Sequence, residues 1–262
     1  NKIDLVTLFP KDFENVENVK ADLFVINAVS NVTGRVLDIK NIIEKCHSNG
    51  AKVLVDGAQA VPIVDCDVTK NDIDMLAVPG HKGLHGVQGT GFLLFKKNFH
   101  LKPLLFGGTG TSSLSLLQPD DLPDGFEAGT QNLAGIVGLK AAIEFLDSLG
   151  IENIHQHDQE LFDYAMDKLK DHPNVKVYNK DSRSSVITFN VDGVFSQDEA
   201  TLLNHKGIAI RSGLHCAKLL PDFLKVYGTC RASTYLYTTK EEIDAFIDAL
   251  INGGDILDAY FD

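Results

Sequence analysis

Short apolar runs alternate with polar turns over the first hundred residues, and longer stretches of three-to-four periodicity follow. The run DLFVINAV (22–29) has the length of a buried strand, and DIKNIIEKCHSN (38–49) repeats its apolar positions as a helix does, with Gly50 as a stop. AKVLV (51–55) predicts a second buried strand, so strand, helix and strand form a right-handed parallel crossover that IDMLAV (73–78) extends. GTGFLLF (89–95) predicts a further strand paired with its predecessor, and the opening run IDLVTLF (3–9) is strand-like too.

Beyond a loop-rich region at 107–131 the pattern changes. Residues 133–149 and 151–171 carry two helical patterns broken at Gly150. SSVITFNV (184–191), GIAIRS (207–212) and CRASTYLY (230–237) then predict strands, with helices over 197–206 and 239–251. Thr239 and Glu242 form a capping-box pair for the last of these. The expected architecture is an α/β domain over 1–150 followed by a smaller α+β domain over 151–262, with no internal repeat.

Composition narrows the function. A chain of 262 residues that is 44% hydrophobic can bury the core of one large or two modest domains. A formal net charge of -12 argues against nucleic acid as a partner, because neutralising phosphates needs a clustered excess of Lys and Arg. No apolar run approaches the roughly 20 residues of a membrane span, and NKIDLVTLFP lacks the layout of a signal peptide. A cytoplasmic protein acting on small molecules is expected, with no membrane partner. The first residue is Asn, which is read as a sign that a preceding segment is not represented. Cys46, Cys66, Cys216 and Cys230 are far apart, with neither CxxC nor metal-ligand spacing, so no metal site and no disulfide framework is expected.

In parallel α/β sheets, ligands gather at the carboxyl ends of the strands, which singles out SNVTG (30–34), DGAQA (56–60) and PGHKG (79–83). On spacing alone Lys82 reads as a solvated surface charge. The surrounding Gly80, Gly83, Gly86, Gly89 and Gly91 shift that reading, because they let backbone approach a ligand or adopt positive φ. His81 beside it can donate to an anion. A desolvated lysine amine can bond a carbonyl covalently, and pyridoxal 5'-phosphate is an aldehyde whose ring nitrogen needs a carboxylate against it. Asp56, otherwise a turn aspartate, stands at the end of strand 51–55 for that role. Among the cysteines, Cys46 and Cys230 fall in apolar patterns that favour burial, and Cys66 sits in a loop. Cys216 follows an Arg-Ser-Gly turn and a histidine, where His215 and Arg211 are expected to favour the thiolate.

DGAQA, GHKG, FEAGTQN, RSGLHCA and CRAS, in that order over essentially the whole chain, resemble the cysteine desulfurase and selenocysteine lyase group of the class V aminotransferase superfamily, fold-type I enzymes that use pyridoxal 5'-phosphate. The resemblance implies a large cofactor domain of the aspartate aminotransferase type, incomplete here at its N-terminus, and a small C-terminal domain. Lys82 would link covalently to the cofactor aldehyde, Asp56 would hold the ring nitrogen's proton, and Gln59 would hydrogen-bond the ring oxygen. His81 would contact the phosphate, joined by Thr130 of a second copy across a homodimer interface. Asn31 and Arg231 would grip the substrate carboxylate. The implied reaction converts L-cysteine, or L-selenocysteine, to alanine and leaves a persulfide on Cys216, for transfer to an acceptor protein in sulfur mobilisation and iron–sulfur cluster assembly.

The pattern departs from these relatives in places. Pro79 stands where they often carry a hydroxyl that donates to the phosphate, and Val87 stands where many carry proline. The phosphate-binding turn and stacking aromatic residue that relatives carry ahead of the strand matching DLFVINAV have no counterpart, so weak or absent cofactor binding by this chain alone is expected. Two other readings stay open at this point: another class V aminotransferase or lyase in which Cys216 is a bystander, and a non-catalytic dimerisation module.

Overall fold

The computed structural model describes residues 3–108, 110, 114–180 and 184–254. They form two compact units. The first takes in the described residues of 3–26, 42–58 and 66–148; the second takes in those of 27–41, 59–65 and 149–254.

The first unit is built on a four-stranded sheet in the order β1 (Leu23–Asn27), β2 (Lys52–Asp56), β3 (Met75–Pro79), β4 (Gly91–Phe95). β2 and β3 run parallel with Asp56 opposite Ala77, and β4 returns antiparallel to β3 as the sequence predicts. Helix α1 (Ile39–Ser48) joins β1 to β2. The Asp38 side chain accepts from the Asn41 N–H at 3.2 Å at its start, and Gly50, at φ 77°, turns the chain beyond its end. Val53 and Val55 of β2 are fully buried, and the side chains of β1 alternate, with Phe24 and Ile26 inward and Leu23 and Val25 outward. The run 22–29 is therefore a half-exposed strand rather than a buried one. Residues 3–9 form no strand: Ile3, Leu5 and Val6 are exposed, and a 3-10 helix, Pro10–Asn18, follows. The run joins no sheet edge and stays irregular, ending where the Phe9 N–H donates to Asp12 Oδ2 at 2.7 Å at the start of the 3-10 helix.

Helix α2 (Leu133–Leu149) ends at the predicted break, and Gly150, at φ 84°, permits the turn into α3 (Ile151–Leu169). The second unit has an antiparallel sheet in the order β5 (Val175–Val177), β6 (Val186–Val191), β8 (Thr229–Ser233), β7 (Arg211–Gly213). Helices α3, α4 (Ser196–His205) and α6 (Lys240–Asn252) pack with it around a core that includes Leu161, Phe162, Phe189, Leu203 and Phe246. The Phe189 and Phe246 rings meet edge to face at 5.6 Å. Thr239 and Glu242 close the predicted capping box of α6. β7 is shorter than the predicted 207–212 and shifted later, because Ile208 and Ile210 pack against the core without joining the ladder. β8 stops at Ser233, where a turn between Tyr235 and Thr238 takes over from the predicted strand end. The short β5 and α5 (Leu219–Leu224) have no counterpart in the sequence reading.

Candidate active site

Two groups of predicted site residues come together, one in each unit. In the first unit, Asp56 ends β2 and Lys82 follows the end of its parallel neighbour β3, so both stand at the carboxyl edge of one sheet. The Ala58 N–H donates to Asp56 Oδ1 at 2.9 Å, fixing a half-buried carboxylate at the strand tip. The loop carrying Lys82 is closed by backbone bonds from the Gly80 N–H to the Thr90 carbonyl, 2.8 Å, and from the Gly86 N–H to the Gly80 carbonyl, 2.8 Å. His81 and Lys82 project from this loop and are exposed.

Three glycines of that loop, Gly80, Gly86 and Gly91, sit where the protein's own packing leaves no room for a side chain. A Cβ on Gly80 would lie 2.3 Å from Thr90 Oγ1, one on Gly86 would lie 2.7 Å from Leu139 Cδ1, and one on Gly91 would lie 2.8 Å from the Val78 carbonyl. Only Gly89 among these has positive φ, 81°. At Gly80, Gly86 and Gly91 the protein's own close packing is a sufficient cause for glycine, and Gly89 has the expected positive φ.

In the second unit the turn SNVTG, β7 and β8 assemble a second group. Arg211 and Arg231 face each other directly across the β7–β8 ladder. Like charges opposite one another are unfavourable unless an anion lies between them. Arg231 Nε is buried without a hydrogen-bond partner, while the Arg231 Nη1 donates to the Asn31 carbonyl at 2.6 Å. Burial, then the charge of Arg211, pull the Arg231 guanidinium down, with the Cys216 thiolate acting in the opposite sense. A carboxylate would satisfy the orphaned donor and relieve the arginine pair.

Cys216 is exposed, whereas Cys46 and Cys230 are fully buried, with burial pushing their thiols up to about 11 and about 12, Glu199 adding to the effect at Cys230. His215 and Cys216 both adopt left-handed backbone conformations, φ 49° and 59°, which cost non-glycine residues on the order of 1 kcal/mol each. Two contacts hold that turn: Asn31 Nδ2 donates to the His215 carbonyl at 2.7 Å, and His215 Nε2–H donates to the Thr229 carbonyl at 2.9 Å. Burial, and then the charges of Arg231 and Arg211, outweigh its bond to Thr229 and hold the His215 imidazole below its ordinary range, which weakens it as the cation expected beside the thiol. Thr229 was invisible as a site residue in the sequence, because a β-branched residue in a strand reads as a ladder position.

Gln59 is half-buried in the turn after β2 and groups with the second unit; Thr130 is exposed in the loop before α2. Among the described residues there is no group of three metal-ligating side chains, and no helix is long and apolar enough to cross a membrane.

Pyridoxal phosphate can be tested against these residues. It needs an amine, an acidic partner for its ring nitrogen and donors for its phosphate. Lys82, Asp56 and His81 supply the amine, the acid and one phosphate donor at one sheet edge, and to that extent fit it.

A sheet with chemistry at its carboxyl edge, accompanied by an α+β unit bearing an arginine pair and an exposed cysteine, has the α/β fold of the PLP-transferase class. The chain belongs to the aminotransferase class-V family, whose profile matches residues 4–246. It is 41% identical over 249 residues to a probable cysteine desulfurase of Halalkalibacterium halodurans, covering 93% of this chain and 61% of that protein. It is 37% identical over 244 residues to a cysteine desulfurase of Wigglesworthia glossinidia brevipalpis, covering 91% and 59%. Among solved structures, the cysteine desulfurase CsdA (S-sulfonic acid) from Escherichia coli superposes with a TM-score of 0.83 at 34% identity, covering 92% of this chain and 62% of that one. The chain thus spans about three fifths of the length of these relatives.

Proposed function

We propose that this chain carries the lysine, aspartate and cysteine of a pyridoxal phosphate-dependent cysteine desulfurase, which converts L-cysteine to L-alanine and takes the sulfur onto Cys216. The observation that carries the reading is the exposed Cys216, held in a strained turn beside the buried, half-satisfied guanidinium of Arg231. A residue that only packs does not keep an exposed thiol in a left-handed turn next to a guanidinium whose Nε has no partner.

In this reading Lys82 would bond the cofactor aldehyde, Asp56 would hold the ring-nitrogen proton, Gln59 would hydrogen-bond the ring oxygen and His81 the phosphate, with Thr130 of a second copy completing that contact. Pyridoxal phosphate, when bound, supplies the electron sink that loosens bonds at the substrate's α-carbon. Arg231 and Asn31 orient the substrate carboxylate. The Cys216 thiolate attacks the substrate sulfur: an S–S bond forms, the C–S bond breaks, and its electron pair stays with the substrate carbon. Lys82 removes the α-proton and returns protons to carbon, yielding alanine. The persulfide then passes to an acceptor thiol in a homodimeric, cytoplasmic enzyme. The test is the release of alanine from L-cysteine with pyridoxal phosphate in excess. Loss of turnover in both Lys82→Ala and Cys216→Ala is expected. Turnover in Cys216→Ala equal to the unmodified chain would make the cysteine a bystander and overturn the reading.

A further inference from the structure

The geometry points to Asn31 as the positioning residue of the Cys216 turn: its side-chain amide holds that turn, and its backbone carbonyl ties the turn to Arg231. This rests on the assignment of Cys216 as the sulfur-accepting residue, and it gives Asn31 a task apart from touching the substrate.

The turn 30–34 is set rigidly. Ser30 Oγ accepts from the N–H groups of Val32 and Thr33, at 3.3 and 3.1 Å, and the Gly34 N–H returns to the Ser30 carbonyl at 2.9 Å. Val32 is fully buried, and its carbonyl accepts from the hydroxyl of Thr188, itself fully buried on β6. Gly34, at φ 62°, lies so close to Ser184 that a Cβ would fall 2.0 Å from its hydroxyl oxygen. From this fixed base Asn31 reaches in two directions. Its carbonyl accepts from Arg231 Nη1 at 2.6 Å, and its Nδ2 donates to the His215 carbonyl at 2.7 Å.

The residue it grips is the first of the two left-handed positions, and the second is Cys216. His215 holds the same turn from the other side through Thr229, the β8 residue two before Arg231. Such consecutive left-handed residues persist only where their surroundings over-determine them, and these two clasps are that over-determination. One amide N–H is committed to His215 and the second stays available, so the carboxylate grip and the turn can share one side chain. A carboxylate drawn to Arg231 thereby acts on the same short chain of bonds that aims the thiol.

Asn31→Asp separates the donor from its shape, since a carboxylate is nearly isosteric but cannot donate to a carbonyl. Amide hydrogen exchange of the chain, read on the peptide covering 212–218, is compared among the unmodified chain, Asn31→Ala and Asn31→Asp, with strand 186–191 as the control for folding. The expected result is exchange at 212–218 faster by about tenfold or more in both variants, with 186–191 unchanged. Asn31→Asp matching the unmodified chain at 212–218 would overturn the donor role. Equal acceleration at both peptides would make Asn31 merely structural and overturn it as well. The result is independent of turnover: if Cys216→Ala kept full activity, the sulfur assignment would fall while the exchange data would still report on the clasp.

Discussion

The sheet that carries Asp56 and the sheet that carries Arg231 cover their apolar residues to very different degrees. Around β5 to β8 the second unit closes a core of its own: Phe162, Phe189 and Leu203 are at most 1% exposed, and three helices supply the covering layer. The first unit leaves Leu23 and Val25 of β1 and Leu93 and Leu94 of β4 exposed, and its helix α2 exposes Leu133, Ile136, Val137 and Phe145 while burying only Gly135, Leu139 and Leu146. A sheet with parallel strands is ordinarily covered on both faces, and a helix that is apolar all round is ordinarily buried. The cysteine turn therefore sits on a self-sufficient scaffold, and the lysine loop on one with open apolar surface.

The two units also treat buried carboxylates differently. Asp74 in the first unit has a fully buried side chain and is surrounded by donors: His47 Nε2 at 2.7 Å, the Val53 N–H at 2.9 Å and Lys96 Nζ at 3.0 Å. Burial raises its pKa, but these bonds outweigh burial and hold the carboxyl below its ordinary range. Glu199 in the second unit is 3% exposed with Oε1 unpartnered, and burial pushes it up to about 7. Asp74 in the open unit is thus the satisfied carboxylate, and Glu199 in the closed unit the strained one.

The comparison can be broken most sharply in the closed core. Phe162→Ala should cost about 3–5 kcal/mol, read as a fall in denaturation midpoint; a cost near that of a surface change would show the core to be loose. Asp74→Asn should cost roughly 3 kcal/mol by removing the buried charge shared by His47, Lys96 and the Val53 N–H, although Asp72 keeps its own contacts to His47 at 3.2 Å and Lys96 at 2.6 Å. The stability Asp74 gives is present above about pH 4 and is lost as pH falls through its lower folded value, so acid should destabilise the unmodified chain more than this variant. Glu199→Gln has the opposite sign. Glu199's proton favours the folded state fully below about pH 4.5, and that advantage is lost as pH rises through 7; at pH 8 the variant should be more stable by about 2 kcal/mol in denaturant titration. The smallest effect belongs to the open face: Leu133→Lys with Val137→Lys should change stability by no more than about 0.5 kcal/mol each while raising solubility.

The elements that carry chemistry were legible in sequence because their signals are local. β2, β3, α2 and the capping box of α6 follow from periodicity, Gly150 and the Thr239–Glu242 spacing. IDLVTLF misled because alternation marks a strand only if an edge accepts it, and no local signal names that edge. The Lys82 loop was found through its glycines, but the crowding of Gly86 against Leu139 was not legible, since it depends on a residue more than fifty positions along the chain. The lowered pKa of His215 and the clasp from Asn31 were beyond reach for a related cause: burial and a contact across 184 residues of sequence decide them.

The most direct test of the account is the intact mass of the chain after incubation with pyridoxal phosphate and L-cysteine, followed by peptide mapping. The account predicts one added sulfur atom on Cys216, absent in Lys82→Ala. Sulfur added at Cys66 instead, or alanine formed at an undiminished rate in Cys216→Ala, would contradict it.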